Sequence, residues 1–256
     1  MQTELGTKIK HFRKRNRLSQ FDLEINIGAS PGSLSRIENG EINPTKETLF
    51  KLAKELSLST YEKEYLFGVT DQPATEEEVK AVLAEVSPFL NTRGVLAYVT
   101  DERGRIWGVS ETFLKLLKVE KSRSAKLLGE HMFKILLDPE MGIADRLDPE
   151  HLEEIFYNII TRNLIWEMGH MKEDYWYKRA VEYIRMHPLA SRVYDQIIAN
   201  PPKDFNDMGN RTVYFKSHGI KIKMNFSKES IPKFERFKMI QYYPDNKVIR
   251  LLSKLL

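Results

Sequence analysis

LSQFDLEINIGASPGSLSRIENG, residues 18–40, is the stretch whose reading decides the fold of the first part of the chain. Ser19 stands just before Gln20 as a helix N-cap, where a hydroxyl can accept from a free first-turn N–H. Leu23 and Ile27 give that helix a buried side. Gly28 follows where the helix must end in a left-handed residue, a conformation in which glycine has no Cβ to clash. Ser30 is then expected to cap the next helix, with Pro31 at its first position and Leu34 and Ile37 turned inward. Glu38-Asn39-Gly40 closes it. Upstream, Leu5, Ile9 and Phe12 form an apolar stripe at helical spacing. Downstream, Asn43-Pro44-Thr45 opens another helix whose core face is Leu49, Leu52, Ala53 and Leu56. Residues 1–70 therefore read as five short helices, two of them joined by a tight turn.

The charge distribution suits such a unit to a polyanion. Residues 1–70 carry a net +2, residues 71–210 a net −6 and residues 211–256 a net +8. Lys8, Lys10, Arg13, Lys14, Arg15 and Arg17 stand in the first helix region with no acid between them. A solvated helix face explains such a run as well as a phosphate contact does. The 256 residues suggest one or two domains. There are no cysteines, which excludes disulfides, thiolate zinc sites and a cysteine nucleophile. No apolar run approaches the ~18 residues that span a bilayer, and the N-terminus lacks the apolar core of a secretory signal. The expectation is a cytoplasmic protein without membrane insertion.

The first segment resembles the Cro/repressor-type helix-turn-helix of the XRE-like regulators over about residues 5–60. The resemblance is carried by LSQ at 18–20, Gly28-Ala29-Ser30, LSRIENG at 34–40 and NPT at 43–45. It implies an all-α five-helix domain that binds double-stranded DNA with its third helix in the major groove. By position, it implies that Gln20 braces a phosphate and the third helix. Ser30, Pro31, Gly32, Ser33 and Arg36 would face base edges, and Arg13 and Asn39 would contact phosphates. Arg36 is the best base reader, because its fork can bond guanine O6 and N7 together. Pro31 and Gly32 offer little to hydrogen-bond, so DNA shape should carry part of the specificity. Glu24 departs from the family, which usually has a small alanine there; it either points to solvent or alters how the second and third helices pack.

DQPATEEE, residues 71–78, reads as a linker, leaving 79–256 as a second domain. Residues 79–86 read as a short helix ended by Pro88. VLAYVT (95–100) and RIWGVS (105–110) flank DERG as strand, turn and strand. Ser110 caps a helix to about Leu117, and residues 126–137 form an apolar helical patch. Asp148-Pro149-Glu150 starts a helix that runs to about Thr161, with Asp148 as N-cap. Residues 164–187 read as one long helix stopped by Pro188, and 189–199 as another. Thr212–Ser217 and Ile220–Phe226 flank His218-Gly219 as a hairpin, Phe234–Tyr243 is a further strand, and 247–256 a terminal helix.

Chemistry is not legible in this second domain. Residues 79–256 have no GxSxG, HExxH, P-loop or dinucleotide glycine pattern, and the six histidines of the chain have no metal-ligand spacing. Ser122 and Ser124 near Lys121 and Lys126 do not make a recognisable serine–lysine dyad. No catalytic residue, metal or cofactor is expected. The arrangement resembles a PAS-like α+β domain, an antiparallel sheet with packed helices, and more closely the MmyB-like ligand-binding domain that follows this helix-turn-helix in some regulators. The carrying residues are Val95-Leu96-Ala97-Tyr98 with Trp107, Phe133 with Leu136-Leu137-Asp138-Pro139, Trp176 and Arg185, the Val193…Ile197-Ile198 segment with Pro201 and Phe205, and Tyr242-Tyr243-Pro244. KSHGIKIK replaces the family's usual His-His-Pro-Gly type stretch. The resemblance implies a pocket for an apolar ligand, with fatty acids the usual candidates. Phe113, Phe133, Phe156, Trp166, Met168, Met171, Tyr175 and Trp176 are the large residues that either line such a pocket or fill a core. Arg162, Arg179 or Arg185 would clamp a carboxylate.

The expectation is a two-domain regulator that binds a palindromic operator as a homodimer, its half-sites one DNA turn (~34 Å) apart. The second domain senses an apolar molecule or serves dimerisation and partner binding. A helical peptide receptor is disfavoured by the period-two segments at 95–110 and 212–226.

Overall fold

The computed structural model describes residues 4–68, 73–119, 121–141, 143–172, 174–202, 212–217 and 220–244. The chain forms two compact units, the first centred on Met1–Gln72, the second on Pro73–Met168, Glu173–Pro202 and Met208–Leu256. Among the described residues no helix is long and apolar enough to cross a membrane.

The first unit is all helical: α1 (Glu4–Arg15), α2 (Gln20–Ile27), α3 (Ser33–Glu38), α4 (Lys46–Glu55) and α5 (Thr60–Leu66). Ile9 and Phe12 of α1 are fully buried with Leu23, Leu34, Leu52 and Leu56, and Leu5 packs against this cluster. Local chemistry sets the boundaries. Ser19 and Asp22 form a reciprocal capping box at α2, and Ser59 and Glu62 form another at α5. Thr45 caps α4 by accepting from Thr48 N–H. Gly28 ends α2 with φ of 67°, as its place in the sequence requires. The start of α3 differs from expectation. Ser30, Pro31 and Gly32 are not its first residues; they form the turn before it, and Gly32 precedes Ser33 with φ of 79°.

The second unit opens with α6 (Glu76–Leu90). This helix starts earlier than expected because Thr75 and Glu78 form a capping box, with three acids in the first turn. It also runs through Pro88, which sits in the last turn. A five-stranded antiparallel sheet follows, in the order β2-β1-β5-β4-β3, from β1 (Ala97–Thr100), β2 (Ile106–Val109), β3 (Thr212–Ser217), β4 (Ile220–Ile231) and β5 (Phe234–Pro244). The expected strands are thus present and pair as read. His218-Gly219 and 247–256, expected as a hairpin turn and a terminal helix, lie outside the described residues.

Alternation sorts the sheet's side chains into two layers. Ala97, Val99, Ile231, Phe237 and Met239 pack with Val79, Val82, Val86 and Leu90 of α6. The opposite face carries Tyr98, Val213, Phe215, Ile240 and Tyr242. The elements covering it include α7 (Glu111–Leu116), α9 (Met132–Leu137) and α10 (Leu152–Ile159). As read, Ser110 caps α7 by accepting from Phe113 N–H.

Four helical expectations are corrected. Residues 126–137 are not one helix: α8 (Lys121–Ser124) and a 3-10 turn precede Gly129, at φ of 80°, and only Met132–Leu137 is α-helical. Asp148 does not cap a helix with its side chain, because its carboxylate accepts from His151 Nδ1 at 2.8 Å and pairs with Lys221 at 3.3 Å. The helix from Leu152 does not stop at Thr161 but loosens into a π-helix, Ile160–Glu167. The single helix expected over 164–187 is therefore broken. Asp174 caps a new one, α11 (Tyr175–Met186), by accepting from Trp176 N–H at 2.7 Å. Pro188 both ends α11 and begins α12 (Pro188–Ala199), since its missing N–H is harmless in a first turn. α11 packs on α9, and α12 on α10 and α11.

Buried charge holds the β1–β2 hairpin. Asp101 accepts from the backbone N–H of Arg103 (3.0 Å) and Arg105 (2.9 Å), from Arg105 Nε (2.6 Å) and from Trp107 Nε1 (2.9 Å). Arg103 is 1% exposed and pairs with Glu102 and with Asp174. Four donors on one carboxylate fix the turn far more firmly than the DERG sequence alone suggests.

Candidate nucleic-acid interface

The start of α3 is held by a side chain from the neighbouring helix. Glu24 is 4% exposed, so it does not point to solvent. Its Oε2 accepts from Gly32 N–H at 3.1 Å and its Oε1 from Leu34 N–H at 2.8 Å. Those are two of the unpaired donors that every helix start leaves. Glu24 thus does the work expected of Ser30, and its negative charge sits at the favourable end of the helix dipole.

The end of α3 is held by a second carboxylate. Glu38 is fully buried and accepts from Arg13 Nε (2.6 Å), Arg13 Nη2 (2.9 Å) and Gln20 Nε2 (2.7 Å). Arg13 also donates from Nη1 to the Leu18 carbonyl at 2.8 Å. One acid therefore ties α1, α2 and α3 together through a bidentate arginine. Arg13 is 8% exposed, so it serves the domain interior where the family resemblance implied a phosphate contact. Gln20 braces the third helix through Glu38, the interior half of the role implied for it.

The basic run divides the same way. Lys8 donates to the Tyr65 carbonyl at 3.3 Å and lies 3.8 Å over its ring. Arg15 pairs with Glu62. Burial opposes ionisation of Glu62, yet Arg15 and the Ser59 N–H hold its carboxyl below the ordinary range. Lys14 and Arg17 remain exposed. On the outer side of α3, Ser30, Pro31, Gly32, Arg36 and Asn39 are exposed. The Arg36 side chain is 60% exposed and pairs loosely with Glu41, at 3.8 Å. Ser33 is half-buried, and its hydroxyl has no hydrogen-bond partner among the described residues.

In the second unit two neighbouring cavities lie on the sheet face opposite α6. One chamber, of about 80 Å³, is lined by Phe113, Leu117, Leu127, Ile135, Leu147 and Phe215 among others. A second, of about 40 Å³, is lined by Asn158, Arg162, Asn163, Phe226 and Lys228. Tyr98, Met132, Ile159, Val213 and Tyr242 line both. Of the large residues singled out from the sequence, Phe113 lines the first chamber and the others line neither. Phe133 and Phe156 are 1% exposed and fill the core, stacking on His131 and meeting His187 edge-on. Trp166 is buried elsewhere, and Tyr175 is 64% exposed. Trp176 lies under the Arg105 guanidinium at 5.3 Å. Arg185 pairs with Asp195 at 2.7 Å and Arg179 with Glu182, both on the surface. Of the three candidate arginines only Arg162 reaches a cavity. The residues missed include Asn158, Phe215 and Tyr242; for Phe215 and Tyr242 the signal was strand alternation, and Asn158 carried none.

Residues 9–63 match the family model described as Helix-turn-helix. The match spans α1 to α5 and supports a DNA-binding transcription regulator of the XRE type. No curated protein matches the chain.

Proposed function

We propose that the chain is a non-enzymatic transcription regulator that binds operator DNA through α3 and adjusts that binding through its second unit. The carrying observation is the division of labour in α3: Glu24 and Glu38 hold its two ends from inside, while Arg36 and the Ser30–Gly32 turn stand exposed. A helix fixed on one side and polar on the other is what a major groove requires. In this reading two copies pair about a two-fold axis and the operator is palindromic. The antiparallel sheet with packed helices supports the PAS-like reading of the second unit, and its cavities support the binding of a small apolar molecule. Such a ligand changes operator affinity only by preferring one of the DNA-competent and incompetent states.

The test is binding-site selection from random duplexes with the whole protein, followed by titration of the selected site. A palindromic consensus is expected. Arg36→Ala should weaken the selected site by ~1–3 kcal/mol and relax one base position while leaving the salt dependence almost unchanged. Failure to enrich any sequence, or equal losses on selected and random DNA, would refute operator recognition by α3.

A further inference from the structure

The larger of the two cavities in the second unit has the more uniform lining. It is about 80 Å³, and among the described residues none that lines it is charged. One wall is aromatic: Phe113 stacks on Tyr98 at 5.8 Å and on Tyr242 at 5.0 Å between centroids, with Phe215 edge-on to Phe113 at 6.1 Å. Leu114, Ile135 and Leu147 add aliphatic surface. Leu147 is fixed there by a β-bridge with Phe215 and by the neighbouring Asp148 N–H, which donates to the Tyr214 carbonyl at 2.8 Å. Backbone pairing thus sets this part of the wall.

The chemistry of the lining says what it can hold. Among the described residues its side-chain oxygens are those of Tyr98 and Tyr242, and these two hydroxyls hydrogen-bond to each other. Burial pushes Tyr98 up to about 12 and holds Tyr242 well above the ordinary phenol range, so both stay neutral. Two hydroxyls carry two protons; one lies in their mutual bond, which leaves at most one O–H for a ligand. A buried carboxylate needs a cation or several donors. Arg162 and Lys228 line the neighbouring cavity and not this one. Size narrows the class further. The void is about half of the ~150 Å³ that holds a benzene ring in an engineered apolar cavity, so in proportion ~3–4 carbon atoms fill it. Close packing leaves few voids larger than a water molecule, and an apolar one stays dry, its lining atoms facing no partner.

We propose that this chamber is a site for a compact, uncharged apolar molecule of ~3–4 carbons, and that it discriminates against carboxylic acids, fatty acids included. The ligand's surface meets Phe113, Phe215, Leu114, Ile135 and Leu147, and its affinity comes from filling a dry void, with no ion pair. The proposal rests on reading the second unit as a ligand-binding domain and names the class of its ligand.

The experiment is methyl-detected NMR of the full-length protein under xenon pressure, under n-butane pressure, and with butanoate or hexadecanoate added. Saturable shifts are expected with both gases at the methyl groups of Leu114, Ile135 and Leu147, with butanoate weaker than n-butane by ~100-fold or more. Leu114→Phe, at a half-buried lining position, should fill the void and abolish the n-butane shifts while the melting temperature holds or rises. Phe113→Leu should enlarge the void, so that benzene binds this variant more tightly than the wild type; this second variant tests the site even if the first does not fold. Butanoate within ~3-fold of n-butane overturns the discrimination against acids. Hexadecanoate binding without either gas overturns the ligand class and leaves the ligand-binding reading standing. Shifts that survive Leu114→Phe, or that fall on methyl groups away from the chamber, overturn the site. If nothing binds, and operator affinity is the same in the presence of each probe, both the site and the reading beneath it fail.

Discussion

Removing the carboxylate of Glu24 tests whether the third helix is held from the second. In Glu24→Ala the buried Leu34 N–H loses its acceptor at 2.8 Å, while the exposed Gly32 N–H can turn to water. An unmet buried donor costs ~1–3 kcal/mol. Losing the negative charge at the helix start adds ~0.3–1 kcal/mol. The expected total is ~2–3 kcal/mol, a large share of the ~3–10 kcal/mol that a unit of this length commands. Glu24→Gln keeps one acceptor oxygen and should lose only ~1 kcal/mol. Hydrogen exchange followed by mass spectrometry on the full-length protein reads this locally. Peptides covering residues 32–38 should exchange ~30-fold faster or more in the alanine variant, since each ~1.4 kcal/mol is tenfold, and ~5-fold faster in the glutamine variant. Operator affinity should fall in the same order. Unchanged protection in Glu24→Ala, or equal losses in both variants, would refute the reasoning.

Three further outcomes follow from buried polar groups. Glu38→Ala leaves Arg13 buried without its partner and should cost ~3–5 kcal/mol, seen as loss of helical circular dichroism from the first unit at low urea. Asp101→Asn removes the charge that four donors converge on; the Trp107 emission should shift red and the urea midpoint of that signal fall, whereas an unshifted spectrum would show that the turn holds itself. His131 is fully buried, and burial first, then the Arg105 charge, depresses it to about 3 from an ordinary 6.5. The unfolded chain therefore binds the extra proton between those values, and stability falls as the pH drops below 6.5, by up to ~1.4 kcal/mol per unit. Urea midpoints measured from pH 7.5 to 5 should slope more steeply in the wild type than in His131→Gln; parallel slopes would contradict the depressed value.

Much of the first unit was legible because its signals are local. Ser19, Gly28 and Thr45 act within three or four residues of themselves, and the apolar stripes need only helical spacing. Glu24 was not legible. Its partners lie 8 and 10 residues away across a turn, so only the packing of α2 on α3 turns a misfit acid into a cap. Arg13 misled for the same reason, since a basic run does not say which member folds inward to Glu38. In the second unit alternation gave the strands. The π-helix carries no sequence mark that distinguishes it from the α-helix expected there. Apart from Phe113, the lining eluded a reading based on residue size, because large aromatic side chains are as suited to a core as to a lining. Phe133 and Phe156 went to the core, and the lining is drawn from single residues spread over more than 140 positions of the chain.

The inward anchoring of α3 has a consequence for retargeting. The side chains that stabilise the helix, Glu24, Glu38, Arg13 and Gln20, are separate from those it presents outward. Positions 30, 31, 36 and 39 can therefore be randomised in a library with little penalty in foldedness, provided Gly32 is held at its positive φ. Under the proposed reading, the DNA sequence that α3 recognises is thus a replaceable part, and new sites could be selected against an unchanged scaffold and an unchanged second unit.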